Sequence, residues 1–176
     1  MKKSILIIDD EKAQVDNLER HLSTTLDNEY HIFTAHEESD ILDKVENSYY
    51  SLAILDLRMD DYDIDGISIA KKIIEFNPFA KILITSAFTD EFYSSFKEML
   101  LSGKVIDTID KDSFHIFASN VVRAIVGYHS EYFSSDDSLQ NALLENYAEC
   151  KNIEDTYRKG VKFEQFVALL FNSMGF

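Results

Sequence analysis

The alternation of short apolar runs with amphipathic stretches constrains the fold of this chain more than any other sequence feature. Five runs of mainly apolar residues occupy positions 5–8, 30–36, 51–57, 81–87 and 104–110. Between them, apolar residues recur every three or four positions, as Val15, Leu18 and Leu22 do, which is the period of an amphipathic helix. Strands that alternate with helices in this way are typical of a mainly parallel sheet with helices on its faces.

The pattern predicts a helix after each of the five strands. The third strand, residues 51–57, is almost entirely apolar and is expected at the centre of the sheet. The third helix covers residues 66–76 and ends before Pro78, the only proline. The fourth covers residues 90–101, and the fifth runs from residue 113 to about residue 132. We therefore predict a three-layer α/β domain that ends near residue 130.

Composition limits the classes of function. The 176 residues carry 17 basic and 32 acidic side chains, a net charge of −15, which argues against direct nucleic-acid binding by this chain. An apolar share of 45% is enough for a buried core, but no window is long and apolar enough to span a membrane. The single cysteine, Cys150, rules out an internal disulfide and predicts a cytoplasmic protein.

Chemically useful side chains stand where the predicted strands end, which is where α/β sheets hold their ligands. Asp9 and Asp10 follow the first strand, Asp56 ends the third, Ser86 the fourth, and Lys111 follows the fifth. Two or three carboxylates suit Mg²⁺, which prefers oxygen ligands. A carboxylate can also attack phosphorus, and a lysine with a hydroxyl group can then neutralise the transferred group. These residues predict phosphoryl chemistry at this edge.

The stretches "ILIIDDE", "LAILDLRM", "ILITSA" and "IDK" stand in the order and close to the spacing of the four signatures of response regulator receiver domains. By this resemblance, residues 1–130 are similar to the receiver of two-component signalling, a flavodoxin-like fold with strand order 2-1-3-4-5. The resemblance implies that Asp56 is the phosphoacceptor. It also implies that Asp9, Asp10, Asp56 and the backbone carbonyl of Arg58 bind Mg²⁺ or Mn²⁺.

The same resemblance implies that Ser86 is the switch hydroxyl and that Lys111 pairs with the phosphoryl group. The implied partner is a histidine kinase or a phosphotransfer protein. No catalytic activity is implied beyond self-phosphorylation and dephosphorylation of the receiver.

The sequence also departs from the family pattern. Asp60 stands where a proline is usual, and the loop before Gly66 is about two residues longer. Thr108 replaces the usual aromatic switch residue, so inward rotation of a ring cannot be the output mechanism. A pseudo-receiver that never takes phosphate is therefore an alternative. None of the five histidines shows ligand spacing, and we expect them at surface or edge positions.

A polar segment near residues 130–138 separates the predicted receiver from a tail. Apolar residues then fall near heptad spacing over residues 139–157: Leu139, Leu143, Cys150, Ile153 and Tyr157. Two and a half heptads are too short to establish a coiled coil. Two hypotheses remain for this helix, which either packs on the receiver or mediates a homodimer.

Residues 158–176 form the last predicted segment, an apolar helix that follows the linker of residues 131–157. Its opening glycine, "FEQF" and closing "GF" resemble the start of Mrr-like restriction endonuclease domains, and Glu164 matches the acidic residue of that helix. The metal ligands of that family would lie beyond Phe176, so this chain alone would not cut DNA. By this resemblance, the alternative function is the regulatory part of an Mrr-like DNA endonuclease, whose longer form is a nuclease. The alternative is a plain C-terminal packing helix.

Overall fold

The computed structural model describes residues 3–26, 30–60, 62–87, 99–100, 103–132 and 138–173. Its strands are β1 (Lys3–Ile8), β2 (Tyr30–Ala35), β3 (Leu52–Asp56), β4 (Lys81–Ser86) and β5 (Val105–Asp110). Its helices are α1 (Lys12–Thr25), α2 (Glu38–Asn47), α3 (Gly66–Phe76), α4 (Phe114–Tyr132), α5 (Ser138–Asn152) and α6 (Thr156–Ser173). All five predicted strands are confirmed. Most of the predicted helix at residues 90–101 lies outside the described residues.

The strands form one parallel sheet in the order β2-β1-β3-β4-β5, which confirms the predicted order and the flavodoxin-like fold. β1 pairs with β2 on one side and with β3 on the other, so Ile8 lies between Ala35 and Leu55. Connections leave β1 and β3 toward opposite sides of the sheet. A crevice therefore opens at the carboxyl ends of these two strands.

Residues of the strands alternate between two hydrophobic cores, because successive side chains in a strand point to opposite faces. Leu6 and Ile8 of β1 pack in the core covered by α2 and α3. Ile5 and Ile7 pack in the core covered by α1 and α4. All five residues of β3 are buried, which confirms its predicted central place. Packing in the two cores fixes the position of each strand along its axis, and this fixes the positions of its terminal residues.

The expectation that every histidine lies at a surface or an edge is wrong for His129. This side chain is only 2% exposed, and its ring contacts that of Tyr30 at 5.2 Å between centroids. Val121 and Ile125, eight and four residues earlier on α4, are fully buried, so helical spacing places His129 on the same stripe. Burial, with a smaller contribution from Lys3, lowers the pKa of His129 to about 4.

The tail forms two helices, but the break between them lies at residues 153–155, before the predicted boundary at residue 157. α5 ends at Asn152, and α6 begins at Thr156. Asp155 caps α6, because its Oδ1 accepts a hydrogen bond from the Arg158 amide at 2.8 Å and its carbonyl accepts one from Lys159. Tyr157 therefore belongs to the second helix. Neither these helices nor the others that the structure describes combine the length and apolar character needed to cross a bilayer.

Candidate functional site

The carboxyl ends of β1, β3 and β5 bring two aspartates and a lysine into direct contact. Asp9 follows β1 and Asp56 ends β3, and both are only 6% exposed. Lys111 follows β5 and donates hydrogen bonds to Asp9 Oδ2 at 2.6 Å and to Asp56 Oδ2 at 2.5 Å. The structure therefore joins residues that are 55 and 102 positions from Lys111 in the sequence.

Backbone amides hold the second oxygen of each carboxylate. The Glu11 amide donates to Asp9 Oδ1 at 3.0 Å, and the Arg58 amide donates to Asp56 Oδ1 at 3.2 Å. Each amide lies two residues after the aspartate that it contacts, so the turn that ends the strand also orients the carboxylate. This local geometry explains why the acids follow the strands directly.

Burial and the neighbouring charges shift the pKa values of Asp9, Asp56 and Lys111 in opposite directions. Burial raises the pKa values of Asp9 and Asp56 above their ordinary values, and the ammonium group of Lys111 offsets only part of that effect. Burial by itself would lower the pKa of Lys111, but attraction to the two carboxylates outweighs it and the pKa is raised. Lys111 is thus a firmly charged cation between two carboxylates that are costly to keep ionised.

The acidic residues also have the chemistry of a Mg²⁺ site. One carboxylate oxygen from each of Asp9, Asp10 and Asp56 lies within 4.8 Å of the others. Asp9 and Asp56 are buried, whereas Asp10 is half-buried and faces the opening. Mg²⁺ favours a few carboxylate oxygens with water in its remaining positions, so the donor set fits the ion that the sequence predicts.

Ser86 and Thr108 lie in different surroundings. Ser86 ends β4 and is fully buried, and its carbonyl accepts a hydrogen bond from the Lys111 amide at 3.0 Å. Ala87, the next residue, lines the cavity above the aspartates. Thr108 pairs with Ile84 in the sheet, and its side chain is exposed. The structure therefore brings Ser86 to the site edge and leaves Thr108 on the outer surface of β5.

The aspartates and Lys111 form the floor of an open cavity of about 690 Å³. Arg58 and Asp60 line its rim, and the Arg58 Nε atom donates to Asp60 at 2.8 to 2.9 Å. Asp60, the residue in the usual proline position, thus contributes an ion pair. Lys12 also lines the rim, a position that sequence reasoning missed although this lysine directly follows the acidic run.

Comparison with known proteins identifies the family to which this chain belongs. The family model for the response regulator receiver domain matches residues 5–114. This chain belongs to the response regulator receiver domain family. Receiver domains of this family act in two-component signalling and are phosphorylated in a reaction that uses Mg²⁺, and they interact with histidine kinases or phosphotransfer proteins.

The transcriptional regulatory protein ComA of Bacillus subtilis is 24% identical over 134 residues, which are 74% of this chain and 61% of ComA. The chain thus spans less than two thirds of that relative.

Solved structures show the same fold. A CheY-like receiver domain protein from Methanospirillum hungatei has a TM-score of 0.61 at 23% identity, over 74% of this chain and 96% of that chain. The response regulator TrrA from Thermotoga maritima, solved with Mg²⁺ and beryllium fluoride, has a TM-score of 0.51 at 28% identity, over 69% and 98% of the two chains.

The family match ends before the tail. The division at residues 130 and 157 and the Mrr-like interpretation of residues 158–176 stay predictions. Glu164 is exposed on α6.

Proposed function

We propose that Asp56 accepts a phosphoryl group from a histidine kinase or a phosphotransfer protein and that the phosphorylated receiver controls an output. One observation carries this proposal. Asp56 is a buried carboxylate at a strand end, in contact with Lys111 and within reach of Asp9 and Asp10. A structural ion pair would need only one acid, whereas a phosphoryl group with a divalent cation needs this excess of carboxylates.

The proposed reaction is a transfer between two covalent carriers. An Asp56 oxygen attacks phosphorus, the bond from phosphorus to the donor imidazole breaks, and the leaving nitrogen keeps the electron pair. Lys111 is placed to contact the phosphoryl oxygens after they are transferred to Asp56, because its ammonium group already contacts that carboxylate. Ser86 would donate its hydroxyl hydrogen to the transferred group.

Mg²⁺ or Mn²⁺, held by Asp9, Asp10, Asp56 and the Arg58 carbonyl, would neutralise charge on the phosphoryl oxygens. This chain supplies the remaining requirements. Asp9 and Asp56 are shielded from solvent, and the cavity above them is open to a donor. Thr108 carries no ring and is exposed on β5, so the proposed output follows a route other than inward rotation at this position.

Phosphorylation can be tested with acetyl phosphate and Mg²⁺, followed by intact mass. We expect the parent to gain one phosphoryl group and Asp56→Asn to gain none. Asp60→Asn is the matched control, because it removes an exposed carboxylate from the same rim and should still be phosphorylated. If the parent gains no mass across a range of donor and Mg²⁺ concentrations, the chain is a pseudo-receiver and the proposal fails.

We also propose that α6 mediates a homodimer. Tyr157 is 82% exposed and Val161 is 41% exposed, so an apolar strip of this helix faces solvent. α6 contains Arg158, Lys159 and Lys162 but one acid, Glu164, so it is basic in a chain with a net charge of −15. Lys162 pairs with Glu149 of α5 at 2.5 Å, so Arg158 and Lys159 are the basic side chains proposed to meet carboxylates of a second copy.

Sedimentation equilibrium can test the dimer. Tyr157→Ser should raise the dissociation constant of the dimer, whereas Ile116→Ser should not. Ile116 is a suitable control because it is also exposed, by 55%, but lies on α4. A parent that remains monomeric at millimolar concentration, with or without phosphodonor, would contradict this proposal.

A further inference from the structure

One helix, α3, contacts the phosphoacceptor strand at its first residue and the tail at its last. At the first residue, Gly66 leaves no space, because a Cβ atom there would lie 2.3 Å from the Asp56 carbonyl oxygen and 2.5 Å from the Leu57 Cα atom. The Gly66 amide also donates to the Leu57 carbonyl at 3.2 Å. A displacement of the backbone around Asp56 and Leu57 toward Gly66 must therefore move the start of α3.

The other end of α3 is bound to α5. The Phe76 carbonyl accepts a hydrogen bond from the Tyr147 hydroxyl at 2.6 Å. The next residue, Asn77, is fully buried and donates through Nδ2 to the Tyr50 carbonyl at 2.9 Å. With 11 residues, α3 is about 16 Å long, and this rigid element spans the distance between the two ends of the sheet.

The tail attaches to the receiver around the same point. The Tyr147 ring contacts those of Phe79, Phe166 and Tyr49 at centroid distances of 5.2, 5.5 and 6.0 Å. The Lys151 ammonium group donates to the Glu46 carbonyl at the end of α2. Tyr49 precedes β3 and Phe79 precedes β4, so the tail docks at the edge of the sheet opposite Asp56. Contacts at Tyr147 thus join both tail helices to the end of α3.

We propose that α3 couples the occupancy of Asp56 to the docking of the α5–α6 hairpin, so that a phosphoryl group on Asp56 loosens the hairpin. This inference rests on the proposed function, because it assigns an output to the same site. α3 is packed against the core through Ile67, Ile69 and Ile73, and packed elements shift as units rather than deform. At 2.6 Å the Tyr147 hydroxyl and the Phe76 carbonyl have no room to approach, so a shift of α3 along its axis in either direction disturbs this contact and loosens the aromatic cluster. By linkage, loosening the hairpin also favours the occupied state of Asp56.

The coupling can be tested without phosphate. Gly66→Ala pushes α3 away from the Asp56 backbone, so amide hydrogen exchange over residues 143–152 should accelerate about five-fold or more. Gly127→Ala is the matched control, because a Cβ atom there meets nothing within 4 Å, and it should leave this exchange unchanged. Protection of residues 3–8 and the far-ultraviolet circular dichroism spectrum establish that each variant is folded. Unchanged exchange in a folded Gly66→Ala variant would overturn the proposal.

Tyr147→Phe gives a second test that does not depend on the glycine variant. It removes only the hydroxyl hydrogen bond to Phe76 and keeps the ring, so exchange over residues 143–152 should accelerate by itself. In the double variant, Gly66→Ala should add little, because the connection that transmits its effect is already broken. Fully additive effects, or no effect of Tyr147→Phe, would show that α3 does not transmit the displacement through this contact.

Hydrogen exchange of the parent protein then tests whether phosphorylation itself loosens the hairpin. With Mg²⁺ and acetyl phosphate, exchange over residues 143–152 should accelerate in the parent and stay constant in Asp56→Asn. A mass gain with unchanged or slower exchange would refute the coupling and leave phosphorylation intact. Absence of a mass gain would refute the proposed function, and the Gly66 and Tyr147 variants would still decide whether α3 connects the two ends.

Discussion

Lys111→Met should destabilise the protein strongly in the absence of divalent cations. The Lys111 ammonium group bridges Asp9 and Asp56, and the three side chains are only 15%, 8% and 8% exposed. Methionine keeps most of the side-chain volume, so the substitution removes charge rather than packing. It leaves two buried carboxylates close together with no cation between them.

The expected loss is about 3 kcal/mol at pH 7, the lower end of the range for breaking a buried ion pair. Protonation limits the loss, because the variant raises the pKa values of Asp9 and Asp56 further than burial already does in the parent. A raised folded-state pKa means that the folded protein binds more protons than the unfolded chain, so its stability falls as the pH rises. The deficit of Lys111→Met should therefore be smaller at pH 5 than at pH 7.

Urea denaturation in EDTA and in Mg²⁺ measures both effects. Mg²⁺ at about ten times its dissociation constant should stabilise Lys111→Met by roughly 1.4 kcal/mol, if the variant binds the ion. The same Mg²⁺ concentration should stabilise the parent less, because the Lys111 ammonium group competes with the ion. Lys12→Met is the control, because Lys12 lines the same cavity but is 61% exposed and pairs with Asp16. Equal stability of Lys111→Met and the parent in EDTA, or no response of the variant to Mg²⁺, would refute this reasoning.

Three further predictions concern stability elsewhere. Because the pKa of His129 falls from 6.5 to about 4 on folding, the unfolded chain binds more protons between these values. The unfolding free energy of the parent should thus fall as the pH falls from about 6.5 to about 4, and that of His129→Gln should lack this part of the pH dependence. The same dependence of the unfolding free energy on pH in both proteins would exclude His129 as the cause. Leu22→Ala should lower the free energy of unfolding in urea by about 3 kcal/mol, because the Leu22 side chain of α1 is fully buried in the core. A loss below about 1 kcal/mol would contradict its place in the core. Asp155→Ala should remove the cap of α6 and cost about 1 kcal/mol, with faster amide exchange at Arg158 and Lys159; unchanged exchange would show that the cap is dispensable.

The spacing of apolar residues predicted the α/β domain well, because each strand or helix in it shows one clear spacing. Residues 51–57 are nearly all apolar, and β3 is buried along its whole length. α3 has the predicted bounds because Asp65 caps its first turn at the Ser68 amide and Asn77 ends it. The tail was predicted less well, since spacing near a heptad continues through the break at residues 153–155 and does not reveal that Asp155 starts a new helix.

Sequence motifs singled out Asp9, Asp10, Asp56 and Lys111, which the structure brings together, but did not predict their contacts. The position of Asp56 at a strand end followed from pattern alone, whereas the bridging role of Lys111 depends on the pairing of β3, β4 and β5. The burial of His129 was missed because the residue type suggested exposure. The stripe formed with Val121 and Ile125 was the signal that could have found it.

The order of strands and helices, the family and the acids at the strand ends can be read from the chain alone, because these depend on the local spacing of apolar residues and on short motifs. The folded structure was needed to show that Lys111 lies within hydrogen-bond distance of Asp9 and Asp56. The same holds for the docking of the tail on the last residue of α3 through Tyr147. Both outcomes depend on distances between segments that are far apart in the chain, and sheet register and core packing set those distances.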